Sequence, residues 1–174
     1  SKSPKNIILG PAIGRAVHRS LNLINFKDNT EKIKKICSNC AYSEGIFSNT
    51  LDVENCVFKA LSTNTIKNLQ NNFSREVPIS GKIGNSKYSG YIDLLIENND
   101  HYVIVDYKTD SINKKNTIES KVEKYSKQLA TYSVLLKQNG IQKDIKAMFL
   151  FLDSSKDIEY EIADLSKIET AVSE

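Results

Sequence analysis

Two aspartates and a lysine fall where the surrounding pattern calls for apolar strands. The segment Gly90-Tyr-Ile-Asp93-Leu-Leu-Ile-Glu97 is followed, after the polar Asn98-Asn99-Asp100, by Tyr102-Val-Ile-Val-Asp106-Tyr-Lys108-Thr-Asp110. Both stretches alternate like β-strands, in which consecutive side chains point to opposite faces. This periodicity groups Gly90, Ile92, Leu94 and Ile96 on one face of the first strand, with Tyr91, Asp93, Leu95 and Glu97 on the other. In the second strand it groups Val103, Val105 and Tyr107 against Tyr102, Ile104, Asp106 and Lys108. An unpaired carboxylate in an apolar strand centre is expensive, and a divalent cation would offset that cost. Two carboxylates and a backbone carbonyl leave several positions of an octahedral Mg2+ shell for water and phosphate oxygen. Lys108, on the same face as Asp106, can hold an attacking water or stabilise charge on a phosphoryl group. The plainer alternative is a buried Asp106–Lys108 ion pair, which accounts for one acid and leaves the second unexplained.

These residues need a scaffold, and the rest of the sequence supplies one. Pro4 to Leu9 reads as an extended lead-in, and Pro11 suits the start of a helix reaching about Asn25. Ile13, Val17, Leu21 and Ile24 form its apolar stripe, with His18 beside it. A second helix covers Thr30 to Ser43. A third begins near Thr50, where Thr50, Val53 and Glu54 resemble capping signals, and runs to Leu69 with a break around Ser62 to Asn64. Strands are expected over Glu76 to Ser80, Lys87 to Glu97 and His101 to Lys108, with Gly81 and Gly84-Asn85 as turns. A long helix from Thr117 to Asn139, closed by Gly140, carries the stripe Ile118, Val122, Tyr125, Leu129, Tyr132 and Leu136. Asp144 to Leu152 and Ile158 to Ile162 complete about five strands, and Leu165 to Val172 forms a short last helix. Strand, long helix and strand in succession favour an α/β fold, a mixed sheet covered by helices.

The 174 residues, 40% of them hydrophobic, suffice for one sizeable core and a single domain over residues 1–174. Residues 1–70 are expected to be mainly helical, and 74–162 to hold the core sheet and long helix. No apolar run of about 18 residues is present to cross a bilayer. With three cysteines and no recognisable leader, a reduced, cytoplasmic protein is the expectation. A net charge of +3, from 24 basic against 21 acidic residues, permits contact with phosphate backbones without establishing it.

Five segments occur in an order that resembles the PD-(D/E)xK nuclease superfamily, and within it the C-terminal nuclease domain of AddA and RecB type helicase-nucleases. They are Gly14-Arg-Ala-Val-His18, Glu76-Val-Pro, Gly90-Tyr-Ile-Asp93-Leu-Leu, Val105-Asp106-Tyr-Lys108-Thr-Asp110 and Tyr125-Ser-Lys-Gln128-Leu-Ala-Thr-Tyr132. The resemblance implies a restriction-endonuclease-like fold with a mixed central sheet, flanking helices and a helical N-terminal region. It implies His18, Asp93 and Asp106 as metal ligands, with a contact from the Tyr107 carbonyl and Lys108 as the catalytic lysine. Gln128 and Tyr132 match the motif that supports the site and the DNA backbone. The implied cofactor is Mg2+, with Mn2+ as a substitute, and the implied reaction is hydrolysis of DNA phosphodiester bonds during double-strand break processing. Implied partners are DNA, helicase domains of the same polypeptide and a second helicase-nuclease subunit, without a membrane. A standalone recombination-associated exonuclease and a noncatalytic DNA-binding or assembly domain are the alternatives.

Other residues carry two readings each. From spacing alone His18 reads as a packed or surface histidine, and Gln128 and Tyr132, four apart on one helix face, as ordinary packing. Glu76 either contacts the site or sits at its edge, and Asp110 reads as a turn residue. Tyr88, Tyr91, Tyr102 and Tyr107 suit base stacking or strand packing. Cys37-Ser-Asn-Cys40 has a metal-like spacing, yet only Cys56 is left to join it, so a core role is expected. The resemblance places such a chain with the relatives that lack an iron-sulfur cluster. Lys32, Lys34 and Lys35 suit DNA contact or a solvated helix face. No Gly-rich phosphate loop ending in Lys-Ser or Lys-Thr is present.

Overall fold

The computed structural model describes residues 9–111, 117–154 and 158–174. Helix α1 spans Leu9–Leu23, so Leu9 is helical; the remainder of the expected lead-in lies outside the described residues. Helix α2 is Thr30–Ser43, where the Asn29 side chain accepts from the Lys32 amide and caps the first turn. Helix α3 (Thr50–Ser62) starts after a 3-10 turn at Phe47–Asn49 and takes no side-chain cap bond from Asn49. The capping expected from Thr50 is replaced by a bond from its hydroxyl back to the Phe47 carbonyl. Thr63, in extended conformation, breaks the helix and caps the short α4 (Asn64–Lys67).

Strands β1 (Phe73–Ile83), β2 (Ser86–Glu97) and β3 (His101–Lys108) follow, then α5 (Ile118–Gln138), β4 (Asp144–Phe151), β5 (Glu159–Glu161) and α6 (Leu165–Ser173). Thr117 caps α5, and Gly140, at a φ of 100°, ends it. Among the described residues the sheet has five strands in sequence order. Every neighbouring pair is antiparallel except β3 and β4, which the α5 crossover makes parallel. Helices α1 to α3 bury one face with Leu94, Val105, Tyr107, Leu150 and Leu152. Helices α5 and α6 cover the other, over Ile79, Ile92, Ile104, Phe149 and Phe151.

Strand β1 is longer than expected, and Gly81 lies inside it instead of in a turn. A Cβ there would come within 2.7 Å of Leu135 Cδ2, so the missing side chain lets α5 settle on the strand. The facing pattern of β2 also departs from strict alternation. Ile92 packs toward α5, whereas Leu94 and Ile96 pack toward α1. Strand β1 reverses at the same level, with Phe73 on the α1 side and Val77 on the α5 side. The ladder runs from Arg75↔Leu94 to Val77↔Ile92, and between them stand Glu76 and Asp93. Glu76 has a φ of 45°, a left-handed conformation that costs a non-glycine residue about 1 kcal/mol or more. That kink turns both strands at once and preserves their register.

Arg75 fastens α1 to this kink. Its Nη1 donates to the carbonyls of Leu21, Asn22 and Ile24, the open end of the helix. Its guanidinium lies 4.1 Å from the Phe26 ring centroid and 5.5 Å from that of Phe73. Replacing Arg75 with Ala is expected to cost about 2 kcal/mol of stability, read by urea unfolding. Arg75→Lys should recover only part of this, because an ammonium lacks the planar guanidinium that lies against the Phe26 and Phe73 rings.

Candidate active site

The β2–β3 ladder stops at Leu94↔Val105, while β3 continues beside β4 to Lys108. The two strands therefore part like a fork, and Asp93 occupies the gap. Its Oδ2 accepts the Tyr107 amide hydrogen at 2.8 Å and faces His18 Nε2 at 3.2 Å. His18 Nδ1 is 2.9 Å from the Gly14 carbonyl, which can only accept, so Nδ1 carries hydrogen. With a carboxylate at the other nitrogen, the ring is suited to the imidazolium form. Burial opposes that charge, but the bond and charge of Asp93, the Gly14 carbonyl and the charge of Asp106 prevail and raise the pKa to about 9. Gly14 itself lies under Thr109, whose Oγ1 would stand 3.0 Å from an added Cβ.

Asp106 is buried on the α5 side of β3. Lys108 Nζ approaches its Oδ2 to 2.8 Å, and among the described residues that oxygen makes no hydrogen bond of good geometry. The contact is best described as a charge pair with an acceptor to spare. Burial, and then the charge of Asp93, push the Asp106 pKa up against the pull of Lys108 and His18. Lys108 also stands 4.1 Å from the Tyr125 ring centroid. Asp110, expected as a turn residue, accepts from Tyr125 Oη at 2.6 Å and from Lys121 Nζ at 2.8 Å. It thereby holds the aromatic ring on which Lys108 rests. Neither Lys121 nor Arg75 was singled out by sequence reasoning, since their partners lie far along the chain and no local motif marks them.

Helix α5 brings Gln128 and Tyr132 to the same region. Gln128 Nε2 donates to Tyr132 Oη at 3.1 Å, which leaves the hydroxyl hydrogen available to another acceptor. The Tyr132 hydroxyl sits over Gly90, where an added Cβ would approach it to 2.3 Å. Glu76 is exposed and lines a groove with Gly14, His18, Arg19 and Asn22, so it stands at the border of the site, at the level of Asp93 on the neighbouring strand. Tyr107 contributes its backbone here, and its ring is buried in the α1-side core. Cys37, Cys40 and Cys56 are buried free thiols in that core, and burial raises Cys37 and Cys56 to about 11. Of the expected basic cluster, Lys32 is engaged with Asp28 at 2.8 Å.

Two carboxylates, an imidazole and a strand carbonyl suit a hard divalent cation, and the unbonded Asp106 Oδ2 offers it a buried oxygen. Among the described residues, however, no three acidic, histidine or cysteine side chains form a ready metal cage. The groups satisfy one another instead, His18 with Asp93 and Lys108 with Asp106. Since the folded pKa of His18 is raised, its stabilisation is complete below pH 6.5 and fades as pH rises through about 9. In chelator, the melting temperature should fall across that window, and His18→Gln should flatten the fall.

The sequence match fits this geometry. Residues 8–174 match the PD-(D/E)XK nuclease superfamily. No curated protein gives a significant sequence match. Among solved structures, the crystal structure of SSO0001 aligns with 98% of this chain and 75% of its own at 17% identity and a TM-score of 0.39, a likeness too loose to carry an argument. The mixed five-stranded sheet between helical layers is the restriction-endonuclease-like arrangement expected of that superfamily. With a match running from residue 8 to the last residue, the chain belongs to the PD-(D/E)XK nuclease superfamily.

Proposed function

We propose that this chain hydrolyses DNA phosphodiester bonds with Mg2+, as the nuclease domain of an AddA or RecB type helicase-nuclease that processes double-strand breaks. The observation that carries the reading is the buried Asp106 carboxylate, paired in charge with Lys108 at 2.8 Å and lying across the fork from Asp93. The narrower kinship rests on the five sequence segments and their order. His18, Asp93, Asp106 and the Tyr107 carbonyl would hold the cation. When bound, it would supply positive charge to the phosphate and lower the pKa of a water.

The chain's own residues then divide the remaining work. Burial works against the charge of Lys108 and the neighbouring Asp106 carboxylate favours it, so its ammonium can donate hydrogen bonds to water or phosphate oxygen. Asp110 and Tyr125 fix its position. Tyr132, its oxygen occupied by Gln128, can donate its hydrogen to a backbone phosphate or a site carboxylate. His18 Nε2 would ligate only in its hydrogen-free form, so its role as a ligand would be linked to loss of any proton it shares with Asp93.

A noncatalytic DNA-binding role is the second reading, favoured by the lack of a ready metal cage among the described residues. The two separate in a cleavage assay with end-labelled DNA and Mg2+. Asp106→Ala and Lys108→Ala should each lower cleavage by about a hundredfold or more while still unfolding cooperatively. Full activity in both variants would sink the catalytic assignment.

A further inference from the structure

Beyond the level of Asp93, β1 and β2 leave the rest of the sheet as a two-stranded ribbon. Its ladder runs from Val77↔Ile92 to Ile83↔Ser86, whereas β2 pairs with β3 only over Leu94 to Glu97. One face of the ribbon, with Ile79, Ile83 and Ile92, packs on α5. The opposite face is covered by none of the described residues and presents three cross-strand pairs, Pro78↔Tyr91, Ser80↔Ser89 and Lys82↔Lys87, all exposed.

Two features of this face have no use in the fold. Tyr91 is 65% exposed, although it is a large aromatic in the middle of a strand. Lys82 and Lys87 stand directly opposite each other, a like-charge pairing that destabilises a sheet. Neither has an ion-pair partner among the described residues, and Val77 to Ile92 contains no acid to supply one. Both features suit a polyanion with exposed flat rings. Tyr91 precedes Asp93 by two residues on the ribbon, and Lys87 lies a further four residues, about 13 Å, toward the tip. Glu76 lines the groove beside His18, at the site end of this face.

We propose that the uncovered ribbon face is the binding track for a single nucleic-acid strand entering the site. Tyr91 stacks on an unpaired base beside the Asp93 fork, and Lys82 and Lys87 neutralise phosphates toward the tip. A base can lie on Tyr91 only when it is released from its neighbours, which selects a single strand over a duplex. This inference rests on the nuclease reading above and extends it to the form of the substrate.

The test is fluorescence anisotropy of labelled oligothymidylate, and of a labelled duplex, titrated with the full chain in EDTA so that no turnover occurs. Tyr91→Ala should weaken oligothymidylate binding by about tenfold, and Tyr91→Phe should restore it. The Lys82→Ala, Lys87→Ala double variant should weaken binding and reduce the slope of log affinity against log salt by about 1.4. Its melting temperature should hold or rise, since a repulsion is removed. Wild-type affinity in these variants, with Mg2+-dependent cleavage by the unmodified chain intact, would overturn the track and leave the nuclease reading standing. A loss confined to the duplex would also overturn it. Absence of both binding and cleavage in the unmodified chain would overturn the two together.

Discussion

The structure turns on the carboxylate of Asp93. It sits where β2 leaves β3, and its Oδ2 replaces the ladder bond that the Tyr107 amide loses as the strands part. Without such an acceptor a half-buried amide would be left unpaired, at a cost of about 1–3 kcal/mol. The same oxygen faces His18, so α1, β2 and β3 meet at one atom. The fork can open only because this side chain closes it, and the opening gives Asp106 and Lys108 a boundary that is not another strand.

Charge balance explains why the site is stable as it stands. Two acids near each other repel, and burial adds to the cost, as the raised pKa of Asp106 records. His18 and Lys108 compensate, one on each side of the fork. The compensation is incomplete in a useful way, because Lys108 reaches Asp106 Oδ2 without a directed bond. A site with every acceptor saturated would have nothing left to offer a ligand.

Much of the scaffold is legible in the residues. Gly84-Asn85 and Asn98-Asn99-Asp100 mark the turns that separate β1, β2 and β3, and Thr117 with Gly140 brackets α5. Asp93, Asp106 and Lys108 stand out because charged groups are costly in strand centres. The reversal of facing at Asp93 is not legible, since it depends on a left-handed Glu76, and glutamate carries no signal for that conformation. Gly81 misleads for the opposite reason: a residue typical of turns serves in mid-strand as clearance for Leu135. The role of Arg75 and the bonds of Asp110 are silent because the partners are 51 to 54 and 11 to 15 residues away, distances no local pattern spans.

The two glycines under α5 give the ribbon a mechanical character. Gly81 receives Leu135 and Gly90 receives the Tyr132 hydroxyl, so helix and ribbon interlock at two points on one face. Among the described residues the ribbon has no backbone ladder with β3 beyond Leu94, and the Asp93 side chain makes the one bond across to the Tyr107 amide. The position of the ribbon is therefore set by α5, through Leu135 and Tyr132, as well as by its bond to β3 at Asp93. A side chain added at either glycine would lift the ribbon from α5, and with it the Asp93 end of the fork, while Asp106 and Lys108 keep their places in the β3–β4 ladder.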